Sequence, residues 1–201
     1  MLLIADEVVT GFGRSGSMFG SRLWGVKPDI MCLAKGITSG YIPLGATVVN
    51  ERVEAAFEKN SNFTGAIMHG YTYSGHPVAC AAALACLDIV VKDDLPANAA
   101  KMGDYMLKRL QPFAERFDSV GEVRGKGLMI ALDLVADKTT REPIDPMSGY
   151  ANQVAQIARD NGVMVRPVGT KIILSPPLVI QQEQIDVIVN ALELGLSQAR
   201  R

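Results

Sequence analysis

The chain has 201 residues, of which 48% are hydrophobic and 20% are charged. A chain of this composition can bury a sizeable core, which excludes an intrinsically disordered protein. Its 20 Lys and Arg against 21 Asp and Glu leave a net charge of −1, so the composition predicts no nucleic-acid partner and no membrane partner.

The cysteines and the N-terminal segment indicate the compartment. Cys32, Cys80 and Cys86 lie among apolar residues without CxxC spacing, which favours small core residues in a reducing environment. Asp6 and Glu7 follow an apolar stretch that is too short for the core of a signal peptide. We therefore expect a cytoplasmic protein.

Three apolar runs near the N-terminus are typical of buried strands. They cover residues 2–9, 29–34 and 44–49, and a short helix fits between the first two, at residues 18–24. The order strand, helix, strand predicts an α/β layer whose strands are covered on both faces.

Two helical patterns follow. An Ala-rich run begins at Pro77, and a helix tolerates proline in its first turn. Farther on, apolar residues recur at helical spacing, which predicts a second long helix. These residues are Met102, Met106, Leu110 and Phe113.

After residue 119 the pattern changes to short strands with helices between them. Strands are expected at residues 127–135, 163–166 and 171–174, a helix at residues 150–160, and a last helix on the stripe Ile185, Ile188, Val189, Leu192 and Leu196. This α+β pattern predicts a second domain, so we divide the chain into residues 1–92 and 93–201.

The glycine-rich segment GFGRSG fits the G-x-G-x-x-G pattern of dinucleotide sites and follows the first strand. In such sites the ribose-binding acid ends the second strand. Asp29 instead precedes the run IMCLA, which places it at the opposite end. We therefore favour a glycine-rich turn at Gly11, Gly13 and Gly16 over a dinucleotide site.

Asp6 and Glu7 end the first predicted strand, but neighbours in a strand point to opposite faces, so they do not form one acid–base pair. The same alternation places Asp6 and Val8 on one face, a carboxylate beside an apolar surface. A carboxylate there needs a hydrogen-bonding or cationic partner. One candidate is Arg14 of the same domain, which would make the role of Asp6 structural.

Lys35 ends the next apolar run, and Gly36 follows it. A lysine at the edge of a pocket shielded from water is a competent amine nucleophile toward carbonyls. For a lone lysine, a side chain that reaches out to water is the commoner alternative. Asp6 and Lys35 together supply the two charged groups that a pyridoxal 5'-phosphate (PLP) site requires, a pyridinium partner and a Schiff-base amine.

Six segments in chain order carry a resemblance to a known family: LLIADEVVTGFGRSG, PDIMCLAKGI, IPLGATVV, HGYTYSGHPVACAAAL, VRGKGLM and VRPVGTKIILSPPLVI. Together they resemble the class III (omega-type) aminotransferases, which are fold type I PLP enzymes. The resemblance implies an α/β fold: residues 1–92 are the C-terminal part of the PLP-binding large domain, with a mostly parallel sheet and helices, and residues 93–201 are the α+β small domain.

The resemblance also implies a role for each matching residue. Asp6 pairs with the pyridinium nitrogen, Val8 packs on one face of the ring, and Lys35 forms the internal aldimine and moves the proton. Thr72 binds the cofactor phosphate in the neighbouring subunit's site, which implies a homodimer of the full-length enzyme. Arg166 binds the substrate carboxylate.

Other matching or isolated polar residues are expected to be structural. We interpret Arg124, in VRGKGLM, as structural. His69 and His76 are too few and too isolated for a metal site, so we expect no bound metal and assign them to loop hydrogen bonds. Gln181 stands where the family commonly has a Thr or Ser helix cap, and the loss of a cap costs about 1 kcal/mol.

The resemblance implies transamination from an omega-amino acid or amine to a 2-oxo acid, with pyruvate as the expected acceptor. Family members are about twice as long, and the first half supplies the glycine- and serine-rich phosphate loop. We therefore expect the 201-residue chain alone to bind PLP weakly and to lack useful activity. Either the sequence is a fragment of a full enzyme, or it is an inactive remnant that serves only as a folding or interaction domain; the presence of all matching site residues favours the first.

Overall fold

A computed structural model of the chain describes residues 1–59 and 69–200. The chain forms two compact units, Met1–Pro96 and Ala97–Arg201. The first unit contains a three-stranded sheet in the order β1-β2-β3, with β1 at Ile4–Asp6, β2 at Ile30–Leu33 and β3 at Ala46–Val49. Strands β1 and β2 are parallel, whereas β2 and β3 are antiparallel.

The helices of the first unit are short except for the last. They are α1 at Gly20–Leu23, α2 at Glu51–Lys59 and α3 at Pro77–Lys92, and a single 3-10 turn spans Lys35–Ile37. Pro77 occupies the first turn of α3, as the sequence predicts, and the His76 ring nitrogen Nδ1 accepts a hydrogen bond of 3.4 Å from the amide of Ala79. The imidazole of His76 thus caps α3.

The strands of this unit are shorter and more exposed than predicted. All four residues of β3 are exposed, and Ile4 in β1 is 60% exposed. A strand is buried only where another layer packs on its face. In this unit a small apolar cluster, which includes Leu33 of β2 and Ala83 of α3, packs against the sheet. Cys80 is also exposed, so the expectation of a core residue is wrong there.

The second unit combines helices with a five-stranded sheet. Its helices are α4 at Leu95–Leu110, which begins just before the unit boundary, α5 at Phe113–Arg116, α6 at Tyr150–Asp160 and α7 at Gln182–Gln198. Its strands are β4 at Val120–Lys126, β5 at Met129–Asp137, β6 at Glu142–Pro143, β7 at Arg166–Val168 and β8 at Lys171–Leu174. The antiparallel order is β4-β5-β8-β7, and β6 pairs with β5.

One large apolar cluster forms the core of the second unit. The predicted stripe residues Met102, Met106, Leu110 and Phe113 are each at most 3% exposed. Helix α4 nevertheless ends at Leu110, and Phe113 begins α5. The stripe therefore predicted the burial of Phe113 correctly but joined two helices into one.

Two further predictions for this unit need correction. No apolar run predicts β4, because VGEVRGK carries charges and two glycines. The start of α7 is also not left without a cap, because Oε1 of Gln184 accepts a hydrogen bond of 3.0 Å from the amide of Gln181. The Gln184 side chain thus satisfies the Gln181 amide, which is the N3 half of a capping box.

Within the described part of the chain, no helix is long and apolar enough to cross a lipid bilayer.

Candidate active site

The carboxyl ends of β1 and β2 bring Asp6 and Lys35 to one edge of the first sheet. These two strands are parallel, and Asp6 is the register partner of Cys32. Lys35 follows Cys32 by three residues, just beyond the end of β2. Because parallel strands end at the same edge, the sequence expectation that an acid and a lysine end neighbouring strands agrees with the structure.

Asp6 is an exposed carboxylate at this edge. Its Oδ1 accepts a hydrogen bond of 3.0 Å from the amide of Val8, which lies in the turn after β1. Strand β1 ends at Asp6, so strand alternation does not apply to Val8, and the expectation that Asp6 and Val8 share one strand face is wrong. The partly buried Val8 is instead held beside Asp6 by the turn.

Lys35 begins the 3-10 turn with a left-handed backbone, at φ 47°. Its side chain is exposed, so the described residues do not form the water-shielded pocket that was expected around it. Across residues 1–59 and 69–200, no hydrogen bond or ion pair to Nζ is found, which leaves the amine available to a carbonyl compound.

Glu7, which the sequence analysis did not assign to the site, holds the turn next to Asp6. It is 2% exposed, and its carboxylate accepts hydrogen bonds from the amides of Gly20, at 2.9 Å, and Ser21, at 2.6 Å, and from the hydroxyl of Thr10. Burial by itself raises the pKa of Glu7, but the hydrogen bonds from Thr10, Ser21 and Gly20 outweigh it and hold the pKa below its ordinary value.

Glu7 also binds the neighbouring strand through its backbone. Its amide donates a hydrogen bond of 3.0 Å to the carbonyl of Cys32, and its carbonyl accepts one of 2.9 Å from Gly11. The available sequence signal was the strand alternation, which predicted only that Glu7 points to the face opposite Asp6, and it does not apply because β1 ends at Asp6. Its partners at Gly20 and Ser21 were not predictable, because they lie 13 and 14 residues away in the chain.

Thr72 lies in an exposed turn just before α3. The turn is closed by a hydrogen bond of 2.9 Å from the amide of Tyr71 to the hydroxyl of Ser74. Among the described residues, the Thr72 hydroxyl has no hydrogen-bond partner. The structure thus leaves this hydroxyl free but does not by itself join Thr72 to Asp6 and Lys35.

Arg166 belongs to the second unit, where it begins the edge strand β7 opposite Ile173 of β8. Its side chain is exposed, and no ion pair or hydrogen bond of its guanidinium occurs within the described ranges. A free planar guanidinium can bind a carboxylate through two parallel hydrogen bonds.

The remaining polar candidates have structural contacts. Arg124 forms ion pairs with Glu122, at 2.9 Å, and with Asp133. The ring of His69 packs edge-on against Tyr71, with centroids 5.3 Å apart. Among the described residues, no group of three or more His, Cys, Asp or Glu side chains is placed to hold a metal ion.

The glycine-rich segment GFGRSG forms a turn that does not lead directly into a helix, since α1 begins only at Gly20. Asp29 lies at the amino end of β2, where its carboxylate accepts hydrogen bonds from the Leu3 amide, at 2.8 Å, and the Asn50 side chain, at 2.9 Å. These contacts fix strand ends and leave no ribose-binding acid in the position that a dinucleotide site needs.

A comparison with protein-family models identifies the family. The model described as "Aminotransferase class-III" matches residues 1–196. The chain belongs to the class-III aminotransferases. The PLP-enzyme family expected from the six sequence motifs is thereby confirmed, as is the α/β fold class, since the solved structures it matches are transaminases.

Individual relatives of this class-III chain are aminotransferases. The chain is 48% identical to the uncharacterized aminotransferase y4uB of Sinorhizobium fredii, over 94% of this chain and 41% of the relative. It is 42% identical to a putrescine–pyruvate aminotransferase of Pseudomonas aeruginosa, over 98% and 42%. The crystal structure of a PLP-bound amine transaminase from an uncultivated Pseudomonas species matches with 63% identity and a TM-score of 0.97, over 100% of this chain and 45% of that enzyme.

The chain therefore spans less than half the length of the aminotransferases it matches.

Proposed function

We propose that this chain is the C-terminal half of a PLP-dependent aminotransferase that moves an amino group from an omega-amino acid or amine to a 2-oxo acid, with pyruvate as acceptor. In this proposal residues 1–92 complete the PLP-binding domain, residues 93–201 form the small domain, and the full-length enzyme is a cytoplasmic homodimer. The named activity of the Pseudomonas aeruginosa relative supports pyruvate as acceptor.

The placement of Asp6 and Lys35 carries the proposal. They lie at the same edge of a parallel strand pair, and both side chains are exposed there. PLP presents an aldehyde, which takes an amine, and a ring nitrogen, which takes a carboxylate. An amine that has no partner among the described residues and a carboxylate whose Oδ1 accepts a hydrogen bond from the Val8 amide fit that pair of groups.

The chemistry is divided between the cofactor and the chain. When bound, PLP supplies an aldehyde that accepts the amino group and a ring that withdraws electrons. The Asp6 carboxylate would hold the ring nitrogen, and Val8 would offer an apolar contact to the ring. The amine of Lys35 would hold the aldehyde and, as a free base, would take and return a proton at the substrate carbon.

Two further residues have proposed binding roles of their own. Thr72 would offer its hydroxyl to the phosphate of the cofactor in the partner subunit. Arg166 would offer its guanidinium to the carboxylate of an omega-amino acid or of pyruvate, since a planar fork suits a planar carboxylate. Amines without a carboxylate need no such contact.

A chimera tests the proposal. This chain replaces the matching segment of the 63% identical amine transaminase, and turnover of amine donors is measured with pyruvate and with 2-oxoglutarate. We expect turnover with pyruvate, and Lys35→Ala should abolish it because no other residue replaces the amine. Lys27→Ala, which changes an exposed lysine of the same unit, is the matched control.

A folded chimera that binds no PLP and turns over no donor would contradict the proposal and favour an inactive remnant. Preference for 2-oxoglutarate would contradict only the choice of acceptor. The 201-residue chain by itself is expected to remain inactive in the same assay.

A further inference from the structure

The Gly11–Gly16 turn lies in the interior of the first unit. Gly11, Phe12, Gly13 and Ser15 are all buried. The Phe12 amide donates a hydrogen bond of 2.7 Å to the carbonyl of Met18, which closes the turn. The segment that resembles a dinucleotide motif is therefore a packed structural element and not a surface loop.

Phe12 of this turn packs against Gly36, the residue after Lys35. A Cβ atom placed on Gly36 would lie 2.9 Å from Cβ of Phe12 and 3.1 Å from its Cδ2, and the three nearest atoms all belong to Phe12. Gly36 thus lets the backbone beside Lys35 approach the phenyl side chain more closely than any other residue would allow.

The same cluster holds the chain on both sides of Lys35. Phe12 is 4% exposed, and Leu33 and Ile37 are each 8% exposed in one cluster with it. Leu33 precedes Lys35 by two residues and Ile37 follows it by two. The exposed lysine therefore lies between two buried residues that belong to the same apolar cluster as Phe12.

Both contacting segments adopt a left-handed backbone. Phe12 has a φ of 60° and Lys35 a φ of 47°. Residues with a side chain rarely adopt these angles, and they persist where the surrounding packing determines them. Phe12 and Lys35, the residue before its contact partner Gly36, thus both have an unusual backbone conformation.

We propose that Phe12 is a positioning residue for Lys35, and that the Gly11–Gly16 turn serves to place the Phe12 side chain against Gly36. The proposal rests on the proposed function of Lys35 as the cofactor-binding amine. Through its contact with Gly36, Phe12 keeps the 3-10 turn in the one conformation that directs Lys35 to the sheet edge where Asp6 ends β1. Loss of this contact leaves the lysine present but mobile.

The first measurement is amide hydrogen exchange on the 201-residue chain. The amides of Ile37 and Thr38 donate to Ala34, at 3.2 Å, and to Lys35, at 3.3 Å, and so report whether the turn is closed. In Phe12→Ala we expect their exchange to become about tenfold faster. Phe12→Leu keeps Cβ, Cγ and Cδ2 against Gly36 and should restore slow exchange.

The second measurement reads the amine of Lys35 directly. The chain is treated with PLP and borohydride, and peptide mass mapping gives the labelled fraction of Lys35 relative to Lys126, an exposed lysine of the other unit. We expect this ratio to fall about tenfold in Phe12→Ala, because small misplacements of a reacting group have large effects on rate. Phe12→Leu should again restore it.

Phe19→Ala is the matched control, because Phe19 packs edge-on against Phe12, with centroids 5.6 Å apart, but is not among the nearest neighbours of Gly36. Equal effects of Phe12→Ala and Phe19→Ala, or no effect of either, overturn the positioning role. If Phe12→Ala does not fold, Gly36→Ala tests the same contact, because its methyl group displaces Phe12 without removing apolar surface. Failure of the proposed function shows separately, as a chimera without turnover.

Discussion

The backbone amide of Ser21 donates a 2.6 Å hydrogen bond to the carboxylate of Glu7. The second carboxylate oxygen accepts from the amide of Gly20, at 2.9 Å. Glu7 directly follows Asp6, the proposed pyridinium partner. It therefore connects the end of β1 to the start of α1. A buried carboxylate satisfied in this way fixes the backbone on which Asp6 lies.

Glu7→Gln should destabilise the chain measurably. The substitution removes a buried charge that accepts hydrogen bonds and leaves the amide of Gly20 or Ser21 with a weaker partner or none. We expect a loss of about 2 kcal/mol in the free energy of unfolding, measured by urea denaturation. Glu58→Gln, at an exposed position of α2, should change it by less than about 0.5 kcal/mol.

The stability should also depend on pH through Glu7. The pKa of Glu7 in the folded chain lies below its ordinary value, so the unfolded chain binds more protons than the folded chain as the pH falls. The stabilisation by Glu7 is therefore complete above the pKa of the unfolded chain and is lost as the pH falls through the pKa of the folded chain. Urea unfolding between about pH 7 and pH 3 should show a smaller acid-induced loss in Glu7→Gln than in the unsubstituted chain. An identical pH dependence of the two would contradict this assignment.

Asp6→Asn separates the charge of the carboxylate from its structural hydrogen bond. The Asn side-chain oxygen can still accept from the Val8 amide, as Oδ1 of Asp6 does, so the thermal midpoint should stay within about 2 °C. In the chimera, turnover should fall about 100-fold because the ring nitrogen loses its ionised partner. A large drop in thermal midpoint would instead assign Asp6 a mainly structural role.

Arg166→Ala should discriminate between substrates in the chimera. Removal of a charged hydrogen-bonding partner should raise the KM for carboxylate substrates about 10- to 100-fold and leave that for simple amine donors unchanged. Arg166→Lys, which keeps the charge but not the planar fork, should give an intermediate KM. Equal losses for both substrate classes would argue against a carboxylate contact.

Gly103→Ala should destabilise the second unit. A Cβ atom at Gly103 would lie 2.2 Å from the carbonyl oxygen of Gly127. This oxygen belongs to the backbone, so no side-chain rotation can relieve the clash. We expect the free energy of unfolding to fall by at least about 2 kcal/mol, measured by urea denaturation. Asp104→Ala, at the next and exposed position of α4, should be close to neutral, and a similar effect of both substitutions would show that the close approach is unimportant.

Local patterns predicted most of the regular structure of the second unit. The helix expected at residues 150–160 is observed at Tyr150–Asp160, and the last helix carries its predicted stripe at Gln182–Gln198. These elements are amphipathic, so the spacing of their apolar residues directly reports the buried face. Strand β4 has no such pattern, because its place in the sheet depends on its pairing with β5.

Local sequence patterns were enough to identify the candidate residues for the chemistry. The apolar runs placed Asp6 and Lys35 near the ends of neighbouring strands, although the first strand was expected to reach residue 9 and ends at Asp6. Six ordered motifs were specific enough to indicate the family. Turn residues and strand ends are local properties, and they can be recognised without knowledge of what packs on them.

How these residues are held depends on contacts between segments that are distant in the chain. Glu7 finds its partners at Gly20 and Ser21, and Phe12 meets Gly36. These contacts join segments separated by 13 to 24 residues, and no periodicity or turn signal encodes such a pairing. Their physical reason is packing: a buried carboxylate must find donors and a buried ring must find a surface, and the folded chain alone determines which ones lie within reach.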